Sequence, residues 1–229
     1  LRKIALIIPV LNEEGYLPKL LEQLRNQQNL EIVVVDGGSE DRSMLLAKKY
    51  PLKLCQSEKS GRSTQLNLGA KESKDADYYL FLHADVLLPS DFFEKVNQFI
   101  DQKHKLGNFR LQFDENHWFL HLNAFFTRFK LTCFQFGDQG LLIECNLFNQ
   151  VGGYDENRSL VEGQDIIRRA KKIARFKKIP AVLSVSARKY RQYGYFYLQF
   201  CYLIIYILYR LNQEDETLRR WLNRLLGLS

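Results

Sequence analysis

Residues 4–14 read IALIIPVLNEE, and the fold turns on how their first seven are taken. The run Ile4–Val10 is apolar throughout, as a strand covered on both faces by helices must be, and it lacks the alternation of a half-exposed strand. It is too short to span a bilayer and no small-residue cleavage site follows it, so it reads as a strand and not as a leader. Asn12 and Glu13 break the run. Next comes a helix starting near Tyr16, with Pro18 in its first turn and Leu17, Leu20, Leu21 and Leu24 at helical spacing. A second strand, Glu31–Val35, ends at Asp36-Gly37-Gly38-Ser39. A third covers Leu52–Gln56, and a fourth, Tyr78–Leu82, ends at His83-Ala84-Asp85. Helices over Asp41–Tyr50 and Ser63–Ser73 lie between them. Such alternation predicts an α/β fold with a mostly parallel, doubly wound sheet. Ligands of such sheets bind beyond the carboxyl ends of the strands. Asn12 and Glu13, Asp36, and Asp85 stand at three of those ends.

Beyond residue 90 the pattern loosens. Asp91–Gln102 reads as helix, Gly107–Phe113 as strand, and His117–Lys130 as an aromatic-rich helix. Gly140–Glu144 is a short apolar run and Val161–Ala174 a helix. Tyr193–Leu211 is almost wholly apolar, and Glu214–Leu226 is a helix with acids first and arginines later, matching its dipole. At 46% hydrophobic and 26% charged, the 229 residues belong to a folded chain and not a disordered one. The net charge of +7 is uneven: residues 166–229 hold 14 Lys/Arg against 3 Asp/Glu, so the C-terminal part faces either solvent or something anionic. Four scattered cysteines (Cys55, Cys133, Cys145, Cys201) form no CxxC pair, which speaks against zinc or a disulfide framework and for a reducing cytoplasm.

Several chemistries are disfavoured. The chain has no GxGxxG after the first strand, no GxxxxGK[ST] and no GxSxG, so dinucleotide, P-loop and hydrolase readings lose their motifs. Carboxylates at strand ends remain. Asp36 could accept from the N–H of a base edge, or simply shape its own turn. Gly61-Arg62 precedes a helix whose N-terminus favours phosphate, with Asn67 about a turn later. His83 and Asp85, two residues apart and so on the same side of a strand, offer an imidazole and a carboxylate. One carboxylate plus two phosphates suits Mg²⁺, and Mn²⁺ also tolerates imidazole. A helix cap with a core histidine is the plainer alternative.

Taken together and in order, IIPVLNEE, EIVVVDGGSEDRS, GRSTQLNLGA, FLHADVLLP, GDQGLLIE, VGGYDE and SARKY resemble the motifs of family 2 glycosyltransferases of the nucleotide-diphospho-sugar (GT-A) fold. They are most similar to a bacterial branch that writes its DxD motif as HAD. The resemblance covers about residues 3–192. It implies that Pro9, Asn12, Glu13 and Asp36 contact the nucleotide, with Asp36 on the base, and that Arg62 and Asn67 face the donor. It implies that Ala84 and Asp85 close the metal motif, with Asp85 holding Mg²⁺ or Mn²⁺ across the diphosphate, and that Gly137, Asp138 and Gln139 lie near the acceptor. It divides the chain into a transferase domain over 1–190 (donor half 1–90, acceptor half 91–190) and a helical extension over 191–229. Two departures stand out. His83 replaces the leading aspartate of DxD. The acceptor-side Glu-Asp pair is Glu162-Gly163, so either the base is Asp165 or Glu162, three residues apart and on one face if helical, or the chain is a poor catalyst. Asp165 could equally pair with Arg168 or Arg169.

The expected reaction moves a sugar from a nucleotide-diphosphate donor to an acceptor with inversion. A metal at Asp85 and a cation at Arg62 would steady the leaving group, and a carboxylate would take the acceptor proton. Arg188 and Lys189 add phosphate contacts or are solvated charges on a surface strand. The tyrosines of Tyr193–Leu211 and the flanking cations suit a helix lying on the inner face of the cell membrane near a lipid-linked acceptor; a buried or homodimer-forming helix is the alternative. A non-catalytic sugar-nucleotide-binding protein is the main rival to an enzyme. A nucleotidyltransferase would carry a Gly-rich basic loop after the first strand, which PVLNEEGYLP does not supply, and the basic residues follow no nucleic-acid-binding motif.

Overall fold

Every residue of β1 (Ile4–Val10) except Pro9 is buried, because its two faces feed two different cores. Leu6, Ile8 and Val10 pack into one, with Leu17, Leu20, Leu21 and Leu24; Ala5 and Ile7 pack into the other, with Leu66 and Ala70. The computed structural model describes residues 2–27, 29–59, 61–135, 137–158 and 160–228, and the side chain of Cys133 lies outside that description.

In chain order β1 is followed by α1 (Leu17–Leu24), β2 (Leu30–Asp36), α2 (Ser43–Ala47), β3 (Lys53–Gln56), α3 (Arg62–Glu72) and β4 (Tyr78–Phe81). The rest comprises β5 (Val86–Leu87), α4 (Phe92–Asp101), β6 (Leu106–Phe113), α5 (Trp118–Phe126), β7 (Leu141–Glu144), α6 (Cys145–Gln150), α7 (Glu162–Ala170), β8 (Phe176–Val185), α8 (Arg188–Tyr193), α9 (Tyr195–Arg210) and α10 (Asp215–Leu226). All strands join one sheet of order β3-β2-β1-β4-β7-β6-β8-β5. The first four strands are mutually parallel. β7 runs antiparallel to both neighbours, while β6 and β8 are parallel. The expected α/β fold with a largely parallel sheet and C-terminal helices is the one observed.

The tightest layer contact is at Gly69 of α3, where an added Cβ would stand 2.4 Å from Ile7 Cγ2. Only glycine lets α3 lie this close to β1.

Several expected elements are corrected. The second helix stops at Ala47: Lys49 and Tyr50 bond back three residues, to Leu46 and Ala47, and Pro51 disfavours helix at Tyr50. The aromatic helix ends at Phe126, not Lys130. Within the apolar stretch 193–211 the helix, α9, starts only at Tyr195: Gly194, with φ 85°, breaks it from α8, whose last residue is Tyr193. Arg188 and Lys189 begin a helix, where a surface strand was one reading. β8 was not anticipated at all. Its Pro180 lies where the β6 register slips between Asn108 and Arg110, a bulge in which a missing N–H costs no ladder bond. Among the described residues, no helix is long and apolar enough to cross a membrane. Cys55, Cys145 and Cys201 are free thiols.

Candidate active site

Because β2, β1 and β4 are parallel neighbours, their carboxyl ends open on one edge. Gln65 of α3 ties two of those ends together, its Nε2 donating to Val10 O at 2.9 Å and Val35 O at 2.7 Å. A Cβ at Gly37 would meet this same side chain at 3.0 Å. The loop after β1 is locked to the loop after β2. Asn12 (φ 57°) accepts from Glu40 N at 2.8 Å, and its own N–H donates to Ser39 Oγ. Glu13 N donates to Ser43 Oγ at 2.8 Å. Asp36, 6% exposed, accepts from Ser39 N at 3.0 Å and so shapes its own turn. Pro9 is half-buried within β1, opposite Val35.

β4 stops at Phe81, so His83 and Asp85 lie in the turn before β5; the expectation that a strand would present both on one face does not apply. The turn aims them at different partners. His83 Nδ1 is 3.1 Å from Asp138 Oδ1. Asp85 Oδ2 is 3.6 Å from Arg188, whose guanidinium also forks onto Glu13 at 2.9 and 2.5 Å. Ala84 is buried in the core, so its methyl packs beneath the turn.

The opposite wall comes from the Gly137–Gln139 turn and α7. Arg62 Nη1 donates to Glu162 Oε1 at 3.0 Å. The Glu162 side chain is 4% exposed, and among the described residues no donor reaches its Oε2. A methyl at Gly137 would stand 3.5 Å from His83 Nε2 and 3.6 Å from Glu162 Oε1, so imidazole and carboxylate flank that glycine. Asn67 faces the segment after α6: it donates to Tyr154 O and Glu156 and accepts from Tyr154 N. Asp165 is committed elsewhere. Arg168 donates to its Oδ1 at 2.8 Å, Arg169 to its Oδ2 at 2.7 Å, and Tyr209 to Oδ1 at 3.2 Å.

The charges reinforce one another. Burial raises the Asp85 carboxyl above its ordinary value, and the nearby Asp138 charge adds to the rise. Partial desolvation works against ionisation of Asp138, whose side chain is still 57% exposed, but the His83 hydrogen bond and the His83, Arg62 and Lys189 charges hold it well below the usual range. Burial disfavours the Arg62 cation, yet Glu162, Asp138 and Asp85 together push its pKa up. For Asp165, the two arginines outweigh burial and lower the pKa. That leaves a poor proton acceptor.

Asp85, Asp138 and His83 offer two carboxylates and an imidazole from two loops. Among the described residues no three His, Cys, Asp or Glu side chains form a ready-made cage. This partial, oxygen-rich set fits a divalent ion whose remaining ligands come from a diphosphate, the usual arrangement for Mg²⁺.

Three contributors, and the partner of a fourth, are not visible in the sequence. Gln65 is a buried polar residue on α3, a signal visible only once the helix is known to lie against strand ends. Arg188 was noted, but without Glu13 as its partner. Tyr202 is half-buried and feels the charges of Asp138 and Arg62; it sat unremarked within an apolar stretch. Lys178 holds the turn from behind, donating to Gln139 Oε1 at 2.5 Å and Phe109 O at 3.3 Å, while Gln139 also accepts from Asn108. Nothing in the sequence separates Lys178 from its neighbour Lys177.

Residues 5–153 match the model described as glycosyl transferase family 2. An uncharacterized glycosyltransferase of Rickettsia prowazekii is 32% identical over 98 residues, covering 41% of this chain and 31% of that protein. A poly(ribitol-phosphate) beta-N-acetylglucosaminyltransferase of Staphylococcus aureus, TarS, is 28% identical over 112 residues, 44% of this chain and 19% of its own. The chain thus matches less than a third of the length of either. Among solved structures, the mannosyltransferase PcManGT of Pyrobaculum calidifontis with GDP-Man and Mn²⁺ superposes with TM-score 0.71 at 16% identity, covering 99% of this chain and 70% of that one. TarS 1–349 of S. aureus with UDP gives 0.67 at 19% identity, covering 98% and 70%.

Proposed function

Since the chain belongs to glycosyl transferase family 2, we propose that it transfers a sugar from a nucleotide-diphosphate donor to an acceptor hydroxyl with inversion, and that Glu162 is the base. The observation that carries this reading is the buried Glu162 carboxylate, anchored through Oε1 on Arg62 with no donor on Oε2 among the described residues, at the edge where β1, β2 and β4 end. A base must present a free oxygen at a fixed place. Glu162 keeps one oxygen with no donor on it, closed off from solvent in the free protein, whereas both Asp165 oxygens are already bonded to donors.

The donor nucleotide lies over the ends of β1 and β2, with its base toward Asp36 and its diphosphate toward Asp85, Arg188 and Arg62. Asp85, beside the His83–Asp138 pair, would hold Mg²⁺ or Mn²⁺; such an ion would neutralise the charge that develops on the leaving diphosphate. Arg62 and Arg188 supply fixed positive charge at the same place, at no reorganisation cost. The acceptor hydroxyl, hydrogen-bonded to Glu162 Oε2, loses its proton to that oxygen as it attacks the anomeric carbon from the face opposite the departing nucleoside diphosphate. His83 at the head of the metal motif supports a place in the HAD branch of the family.

The reading is tested by incubating the protein with UDP-, GDP- and dTDP-sugars and assaying nucleoside diphosphate release, with Glu162→Gln alongside. Metal-dependent release that the substitution abolishes supports it. A non-catalytic sugar-nucleotide binder draws on the commitment of Asp165 to Arg168 and Arg169. It would bind a donor tightly and release nothing.

A further inference from the structure

Two helices carry apolar side chains that the fold leaves uncovered. On α5 and just after it, Trp118, Leu122, Phe125 and Phe129 follow one another at steps of four, three and four, which places them on one face. On α9, Phe196, Phe200, Leu203 and Ile207 repeat the same steps. Exposure of these eight runs from 43% for Phe129 to 63% for Trp118. The two stripes are joined: His117 stacks on Tyr195 at 3.9 Å, Phe119 packs on Phe196 at 4.6 Å, and Asn123 bonds Gln199 at 3.1 Å. Those pairs advance together along both helices, so α5 and α9 lie side by side in the same direction and expose one continuous apolar face. Contiguous faces of this kind mark an interaction surface.

Charge selects the occupant. The sequence holds no Asp or Glu between Glu115 and Asp138, and none between Asp165 and Glu214, while residues 166–213 alone carry 11 Lys and Arg. Arg128 follows α5 and lies over the Phe125 ring at 5.2 Å, and Lys130 beyond it is exposed. Arg210 ends α9, over the Tyr206 ring at 6.0 Å. A second copy of this chain would bring the same acid-free, cationic region against itself. An apolar, aromatic-rich face bordered by cations is instead what a helix lying in the headgroup region of an anionic bilayer presents.

We infer that the paired outer faces of α5 and α9 seat the protein on an anionic phospholipid surface. The opposite side of α9 buries Leu198, Cys201 and Ile205 and brings Tyr202 toward Arg62 and Asp138. Docking therefore sets the cleft beside the lipid headgroups, where an acceptor carried on a membrane lipid would meet it.

The test uses the full chain and reads association, not turnover, so its failure leaves the transferase reading standing. The chain has two tryptophans, and Trp221→Phe leaves Trp118 as the sole reporter. With vesicles containing phosphatidylglycerol, its emission shifts to the blue and brominated acyl chains quench it; with pure phosphatidylcholine both effects largely vanish. Phe200→Ser with Leu203→Ser lowers partitioning by at least about tenfold, the scale expected from two buried apolar side chains, with melting temperature and sedimentation mass unchanged. The inference is overturned by an absence of association at low salt, by association indifferent to anionic lipid or to the double substitution, or by self-association that the same substitutions abolish without any vesicle binding.

Discussion

A carboxylate that takes a proton from an acceptor needs one oxygen with nothing on it, and the two acids of α7 differ in that respect. Glu162→Gln keeps an oxygen for Arg62 but removes the base, so kcat falls by about 10²–10⁴-fold with donor affinity little changed. Asp165→Asn does the reverse. It weakens the bonds from Arg168, Arg169 and Tyr209 and costs about 1.5–3 kcal/mol of stability, read as a lower melting temperature, with turnover per folded molecule retained. The pair of acids was legible in the sequence but the choice between them was not, since residues three apart share a helical face whether they catalyse or brace. The proposal favours Glu162 because of where the arginines sit. Lys178 makes a separate prediction. Burial is the main cause of its depressed pKa, with Lys171 and Arg110 adding repulsion, and together they lower it to about 6. Above that pH the folded chain holds one proton fewer than the unfolded chain, until the free-lysine value is passed. Stability therefore rises with pH from about 6 to about 10. Denaturant unfolding across this range shows a shallower rise in Lys178→Met than in the parent chain; parallel profiles would contradict the assignment.

At the scale of elements, the close approach of α3 to β1 sets the floor of the site, because α3 also carries Arg62 and Gln65. Gly69→Ala forces a methyl onto Ile7 and costs about 1–3 kcal/mol, measured by denaturant unfolding. In an Ile7→Ala background, which lacks the Cγ2 and Cγ1 that the methyl strikes, the same substitution costs less. The first four strands were readable because each is an apolar run closed by turn residues. β8 was not, because Lys177, Lys178 and Pro180 break the apolar pattern, and only pairing with β6 across a bulge makes Phe176–Val185 a strand. The break at Gly194 was hidden in the same way. An apolar run reads as one helix until a glycine with positive φ turns it, and this turn lets α8 bring Arg188 to Glu13 while α9 passes along the cleft.

Across the whole molecule, the sheet order 3-2-1-4 gathers three strand ends, and the antiparallel β7 returns the chain so that the Gly137–Gln139 turn faces them. The motifs that carried the family resemblance are the loops at this edge, which is why candidate residues for the proposed site could be listed before the fold was known. The ion pairs that link those loops, Arg62 with Glu162 and Arg188 with Glu13, join residues 100 and 175 positions apart. No local pattern reports such pairs. The central claim is that this edge holds a nucleoside diphosphate through Asp85 and a divalent ion. Calorimetric titration of UDP, GDP, ADP and dTDP, each with Mn²⁺, with Mg²⁺ and with EDTA, tests it most directly. One nucleotide should bind with metal, weaken at least about tenfold in EDTA, and weaken comparably in Asp85→Ala. Binding that is equally tight in EDTA and in Asp85→Ala, or no binding by any of the four, would contradict the account.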